Sequence, residues 1–335
     1  MSRSNGGLHI ESISKMFGSG LAATQALAEV SLRVEPGQIV ALVGNNGAGK
    51  STLMSICAGL LSTDLGTVTV AGDRVTDSGG TPTRRLGLAP QEEALYPTLT
   101  VTQNLAYFGR LAGLSGRKLS ERVDSVATRL MIQDLLLSKA SSLSGGQRRQ
   151  LHTGLALMHD PQVLLLDEPT VGVDIDTRAG LLDFVRATAD EGAAILYSTH
   201  QLHEVEALDA RIVLIDHGRI QASGSPEELV ADWAPQVAEL VFDTEHPNLP
   251  TEYVSQIEDR FPPVEDEYRI TIKLDGSSRH IGEIVDRLDD SAKASLLAAS
   301  VVPPSLERAY LKITRDSRLS DVDLRDPVPL GGTSE

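Results

Sequence analysis

Apolar and polar positions alternate over residues 8–14 and again over 26–34, the period of two expected of strands with one buried face. The second run stops at the turn Glu35-Pro36-Gly37-Gln38. Residues 39–43, Ile-Val-Ala-Leu-Val, are apolar throughout, which predicts a strand buried on both faces. A glycine-rich stretch over 44–49 follows, then helical spacing over 50–60. Residues 67–71 read as a strand. Helical spacing returns over 102–137, broken at 113–116, and again over 146–158, ending before Pro161. Strands are predicted at 163–167, 193–198 and 211–215, with helices at 176–191 and 200–208 between them. Strands alternating with helices imply a parallel sheet covered by helices.

The rhythm changes at Gly224-Ser225-Pro226, where a helix over 226–233 is predicted with Ser225 as its cap. Beyond it, strands are expected at 237–242, 268–274 and 295–302. Helices are expected at 251–260, 281–288 and 305–314. This second pattern predicts a small α+β domain over 235–314, while 315–335 mixes Asp, Arg, Pro, Gly and Ser and is expected to be a disordered tail.

Composition narrows the classes. The 335 residues suffice for two domains, and 41% hydrophobic with 23% charged residues is ordinary for a globular chain. No apolar run approaches the ~18 residues of a membrane-spanning helix, and no signal-peptide pattern follows the polar N-terminus, so neither membrane insertion nor secretion is expected. The single cysteine, Cys57, excludes an internal disulfide and reads as a packing residue. With 30 basic and 46 acidic residues the net charge is −16, most acidic beyond residue 231. Such a chain lacks the electrostatic footprint of a nucleic-acid binder.

The candidate chemistry lies in three places. Gly44, Asn45, Asn46, Gly47, Ala48, Gly49, Lys50, Ser51 and Thr52 match G-x-x-x-x-G-K-[ST] between a strand and a helix. Glycines let successive N–H groups face a phosphate, and the helix start adds positive potential. Lys50 would bridge the β- and γ-phosphates of a nucleotide, and Ser51 would offer its hydroxyl to Mg2+. The strand over 163–166 delivers Asp167, a candidate Mg2+ ligand, and Glu168, a candidate general base for water. Finally, Leu143-Ser144-Gly145-Gly146-Gln147 opens another helix with a second anion-binding pattern.

With that pentapeptide the chain resembles the nucleotide-binding subunits of the ATP-binding cassette transporters over about residues 8–230. The resemblance implies an α/β P-loop NTPase cassette, with a mixed sheet, helices and a helical subdomain at about 91–160, spanning residues 1–230. It implies ATP and Mg2+ as ligands. Phe17 falls where an aromatic stacks on adenine, and Gln91 where a glutamine meets Mg2+ and the water. Asp174 lies in the loop after Glu168, and His200 matches the histidine that senses the γ-phosphate. Taken singly, each has a more ordinary reading: Phe17 as a core residue, Asp174 as a helix N-cap and His200 as a surface or capping histidine. In the family two cassettes pair head to tail, so that Ser144, Gly145, Gly146 and Gln147 of one close on the ATP held by Lys50 of the other. A homodimer or a paired cassette is therefore implied.

Residues 95–109 and the ending Pro304-Ser305-Leu306-Glu307 resemble the drug- and antibiotic-export ATPases of the daunorubicin-resistance type. This implies a membrane permease on a separate chain and a location at the cytoplasmic face of the cell membrane. The C-terminal domain is expected to be regulatory or dimer-stabilising. The alternatives are a non-transport cassette ATPase acting on a macromolecular complex and the ATPase of a polysaccharide or lipid exporter. Against the first stand the absence of long coiled coils or zinc-binding cysteines, the single phosphate loop and the acidic charge.

Overall fold

The computed structural model describes residues 6–20, 23–75, 84–254, 257–264, 267–274 and 281–322. The chain divides into two compact units, residues 1–226 and 227–335.

In the first unit, β1 (Leu8–Phe17), β2 (Thr24–Val34), β4 (Leu65–Val70) and β5 (Asp73–Arg74) form an antiparallel sheet in the order β2-β1-β4-β5. A second sheet contains β3 (Ile39–Val43), β6 (Leu86–Ala89), β7 (Val163–Asp167), β8 (Ala194–Thr199), β9 (Arg211–Asp216) and β10 (Arg219–Gly224), ordered β10-β9-β3-β8-β7-β6. All its pairings are parallel except β9 with β10. The alternation of strands and helices accounts for the parallel pairings, and the antiparallel β10 makes the sheet mixed, as the family resemblance implied. The strands β6 and β10 escape a pattern reading because Leu-Gly-Leu-Ala is short and Arg-Ile-Gln-Ala-Ser-Gly is mostly polar.

Helix α1 (Lys50–Cys57) follows β3 and buries Leu53, Met54, Ile56 and Cys57 against a core that includes Leu42, Leu165, Leu196 and Ile215. Burying each such aliphatic side chain stabilises the fold by ~1.5–3 kcal/mol. Cys57 is inside this core, and burial pushes its thiol up to about 12, consistent with a packing role. The helical pattern over 102–137, broken at 113–116, is α2 (Val101–Leu111) and α3 (Gly116–Arg129), and beyond Arg129 it gives only a 3-10 turn at Gln133–Leu135. These two helices pack with α4 (Gly145–Leu155). Helix α5 (Ile175–Asp190) joins β7 to β8, and α6 (Leu202–Ala207) starts later than expected, leaving His200 in the turn before it.

Helix α7 (Pro226–Trp233) leads into the second unit. There β11 (Val237–Phe242), β12 (Ile257–Val264), β13 (Glu267–Lys273) and β14 (Leu296–Val302) form an antiparallel sheet ordered β12-β13-β11-β14. Ala238, Leu240, Phe242, Ile270 and Ile272 pack with Tyr253, Ile284 and Leu288. These come from α8 (Thr251–Val254), α9 (Ile281–Asp286) and the turn before α10 (Asp290–Ser295). The helix expected over 251–260 ends at Val254, and Ile257 begins β12 instead. Its Pro262 and Pro263 lack N–H groups, which an edge strand tolerates and a helix interior does not. Helix α11 (Leu306–Val322) corrects part of the disordered-tail expectation. No glycine or proline interrupts 315–322, so nothing stops the helix there. The remainder of that tail, 323–335, lies outside the described residues. Among the described residues no helix is long and apolar enough to cross a membrane.

Candidate nucleotide site

Four adjacent parallel strands, β3, β8, β7 and β6, end at one edge of the sheet, where open α/β sheets bind ligands. The loop 44–49 leaves β3, Glu168 follows β7, His200 follows β8, and Gln91 lies just past β6. Sequence-distant residues are thereby gathered by strand order alone.

The loop is shaped by backbone that side chains cannot adopt. Gly49 caps α1 with φ 107°, and a Cβ there would lie 2.6 Å from the Ala26 carbonyl oxygen on β2. A Cβ on Gly44 would collide with the Ile215 carbonyl. Asn45, Asn46 and Gly47 are exposed while Ala48 is buried, and Ser51 and Thr52 occupy the exposed and half-buried faces of the first turn. No side chain caps α1, and its first turn carries no acid. Its N–H groups are therefore presented to an anion.

Lys50 is buried and folds back over this loop. Its Nζ donates to the Gly44 carbonyl (2.6 Å) and the Asn45 carbonyl (3.1 Å), and stands 3.7 Å from Glu168 Oε1. Burial lowers its pKa, opposed by the charges of Glu168 and Asp167. Glu168 is itself buried, with φ 49°, a left-handed conformation uncommon for a side chain-bearing residue. His200 Nδ1 lies 3.2 Å from the same Oε1, so Glu168 stands between the lysine and the histidine. Asp167, also buried, accepts at Oδ1 from the Ser198 hydroxyl (2.6 Å), its cross-strand neighbour.

Sequence reasoning overlooked Arg149. From α4 its guanidinium donates to the Gln91 carbonyl (2.9 Å) and to the Glu168 carbonyl (3.1 Å), tying Gln91 to the carboxylate cluster. Burial lowers its pKa. The signal was a lone arginine two residues after Gln147, indistinguishable in sequence from its surface neighbour Arg148.

Two groups of expected site residues stand apart from that cluster. Ser144 caps α4: its hydroxyl accepts from the Gln147 N–H (3.2 Å), and Gln147 Oε1 accepts from the Ser144 N–H (2.9 Å), a complete capping box. Gly145 is exposed, and Gly146 lies against Asp174, where a Cβ would come within 3.2 Å of Oδ2. Asp174 caps α5, accepting from the Thr177 N–H (2.9 Å) and hydroxyl (2.8 Å), and these hydrogen bonds hold its carboxyl below the usual range. Phe17 ends β1, 43% exposed and with the Lys15 ammonium 5.8 Å from its ring centroid, so it is not a core residue. Among the described residues no hydrogen bond or ion pair given above links either group to Lys50.

Comparison with known proteins places this arrangement in a family. Residues 27–171 match the ABC transporter family model. The chain is 32% identical over 312 residues to the linearmycin resistance ATP-binding protein LnrL of Bacillus subtilis, covering 92% of this chain and 98% of that one. It is 32% identical over 313 residues to the doxorubicin resistance ATP-binding protein DrrA of Mycobacterium tuberculosis, covering 92% and 93%. A solved structure of an ATP-binding subunit of an ABC transporter superposes with a TM-score of 0.60 at 28% identity, over 67% of this chain and 92% of that one. The chain belongs to the ATP-binding subunits of the ABC transporter family, with the resemblance to its drug-resistance export type extending across both units.

Proposed function

We propose that this chain hydrolyses ATP to drive export of a drug-like or antibiotic compound through a membrane permease carried on a separate chain. The observation that carries the hydrolytic part is the convergence of Lys50, Glu168 and His200 at one sheet edge, with Glu168 Oε1 within 3.7 Å of the lysine Nζ and 3.2 Å of the histidine Nδ1. In this reading the loop 44–49 and Lys50 bind the phosphates, displacing Lys50 from the carbonyls it now contacts. Phe17, exposed at the end of β1, stacks on the adenine. Glu168 accepts the proton of the attacking water, and His200 orients toward the γ-phosphate.

The Ser51 hydroxyl, the Gln91 amide oxygen and the Asp167 carboxylate form an all-oxygen donor set, which fits Mg2+. When bound, that ion neutralises charge on the phosphate oxygens. Ser144, Gly145, Gly146, Gln147 and Asp174 act on the nucleotide of a second cassette, an assignment supported by the exposure of Ser144, Gly145 and Asp174. The permease contact is assigned to α2 and the loop before it. There Tyr96 and Tyr107, both exposed, pack edge to face at 5.0 Å.

The export reading is supported by full-length relatives named for linearmycin and doxorubicin resistance. Its test is efflux from cells that carry the chain together with a candidate membrane permease from the same organism. Wild type should lower accumulation of at least one compound in an antibiotic panel, and Lys50→Ala should not. Efflux that is equal with Lys50→Ala, or absent for every compound despite ATP hydrolysis by the complex, overturns it.

A further inference from the structure

Behind the Glu168–His200 pair lies a fully buried carboxylate with no part in the scheme above. Glu204, on α6, is 0% exposed. Its Oε1 accepts from the Thr170 hydroxyl, and its Oε2 accepts from the Tyr197 hydroxyl (3.0 Å) and the Thr199 hydroxyl (2.8 Å). Arg178 of α5 stands 3.7 Å from Oε1 and supplies the opposing charge. A buried carboxylate without such partners would be strongly unfavourable. Here three hydroxyls and a guanidinium hold it.

The partners are what give the cluster meaning. Thr170 lies two residues after Glu168, in the segment that leaves β7. Thr199 immediately precedes His200, and its hydroxyl also accepts from the Gln201 N–H (3.0 Å), closing the backbone around the histidine. Tyr197 lies on β8 between them, and burial, followed by the nearby Glu204 charge, raises its pKa well above the ordinary value, so it stays a donor. Glu168 is further fixed by its N–H donating to the Ser198 carbonyl (3.1 Å). The two loops bearing Glu168 and His200 therefore converge on one carboxylate.

We propose that Glu204 is a positioning residue for hydrolysis: by holding Thr170 and Thr199 together it fixes the distance between the Glu168 carboxylate and the His200 imidazole. It touches neither nucleotide nor water and acts only through those two residues. The proposal deepens the hydrolytic reading of the same site and rests on it for its kinetic consequence, though the geometric claim stands without nucleotide. Glu204→Gln keeps the size of the side chain and removes its charge and half its acceptor capacity.

The test uses the full chain labelled with 13C at histidine Cε1, without nucleotide, and steady-state ATPase assays of the same variants. The His200 signal, identified by its loss in His200→Ala, should shift in Glu204→Gln as it does in Glu168→Gln, while the signal of buried His152 stays. Turnover should fall ~10- to 100-fold, the scale of a misplaced catalytic group, with KM for ATP kept within ~2-fold. In a His200→Ala background the same change should cost less than ~2-fold, because the two act as one unit. An unmoved His200 signal in folded Glu204→Gln overturns the proposal, as does an undiminished fall in the His200→Ala background. Should Glu204→Gln not fold, Thr170→Val removes one hydroxyl donor without altering charge and should give the same pattern at smaller size. A wild-type chain that hydrolyses no ATP removes the hydrolytic reading, and the His200 signal then decides the positioning claim by itself.

Discussion

Two helices of this protein begin with glycine-rich sequence, and their starts are built in opposite ways. Helix α1 begins at Gly49, left-handed and without a side-chain cap, so its first N–H groups have no ligand supplied by the sequence. Helix α4 begins at Ser144, whose hydroxyl and the Gln147 amide cap one another's backbone. The first start is complete only when an anion arrives. The second is complete within its own chain and must loosen or share its cap to receive one. Their buried polar groups differ too: α1 buries Lys50 beside its aliphatic side chains, whereas α4 buries Arg149, Gln150 and His152 beside Leu151 and Leu155. A glycine-rich helix start is therefore not one feature, and what caps it decides when it can bind.

The largest test of that difference concerns chemistry. If the reactive half-site belongs to α1, Glu168→Gln should lower turnover by ~10²- to 10⁴-fold, the usual cost of losing a general base. The variant should then accumulate as an ATP-bound dimer, visible by light scattering on a sizing column. A variant that turns over at wild-type rate would place the base elsewhere and break the assignment of chemistry to the α1 side.

Next in size is binding. Lys50→Ala removes the cation next to the uncapped start, and hydrogen bonds to charged groups contribute ~1.5–3 kcal/mol, so nucleotide affinity should fall by ~10- to 100-fold. Equilibrium titration with a fluorescent ATP analogue reads this directly. Unchanged affinity would mean that the N–H groups of α1 suffice alone.

The interior of α4 yields a pH dependence on the acid side. Burial, then the Arg149 charge, lowers the pKa of His152 from 6.5 to about 4, and its Nδ1 has no hydrogen-bond partner among the described residues. The unfolded chain thus binds a proton between pH 6.5 and 4 that the folded chain does not. Stability should be full above pH 6.5 and fall as pH drops through that window, by up to ~1.4 kcal/mol per pH unit from this group. Denaturant unfolding at several pH values should show a shallower decline in His152→Gln. His159, also lowered by burial, will contribute to the slope that remains.

How legible these features were in sequence follows the same division. The loop 44–49, the all-apolar strand before Asp167 and the Leu143–Gln147 signature are local patterns, and each occupies the element its spacing implied. Arg149 and Glu204 were not legible, because their importance arises from tertiary partners 58 and 34 residues away, Gln91 and Thr170. The strand β12 was misread as helix because its apolar residues can satisfy either period and only the sheet edge makes room for its prolines. Asp174 caps α5, the reading its residue type alone offers, and its carboxylate also lies against Gly146.

The smallest expected effect is the most direct probe of the capped start. Ser144→Ala deletes the hydroxyl that accepts from Gln147 N–H and breaks the capping box, which should cost ~0.5–2 kcal/mol of stability. On the proposed function, in which α1 holds the nucleotide of its own chain, the affinity of monomeric Ser144→Ala for ATP should match wild type. ATP-driven dimerisation in the Glu168→Gln background should weaken, since the hydroxyl is then missing from the surface that meets the second nucleotide. Unfolding, nucleotide titration and light scattering on the same preparations separate these outcomes. Loss of monomer affinity at Ser144→Ala would join the two helix starts into one site and erase the distinction between them. A stability loss with dimerisation intact would confine Ser144 to capping its own helix.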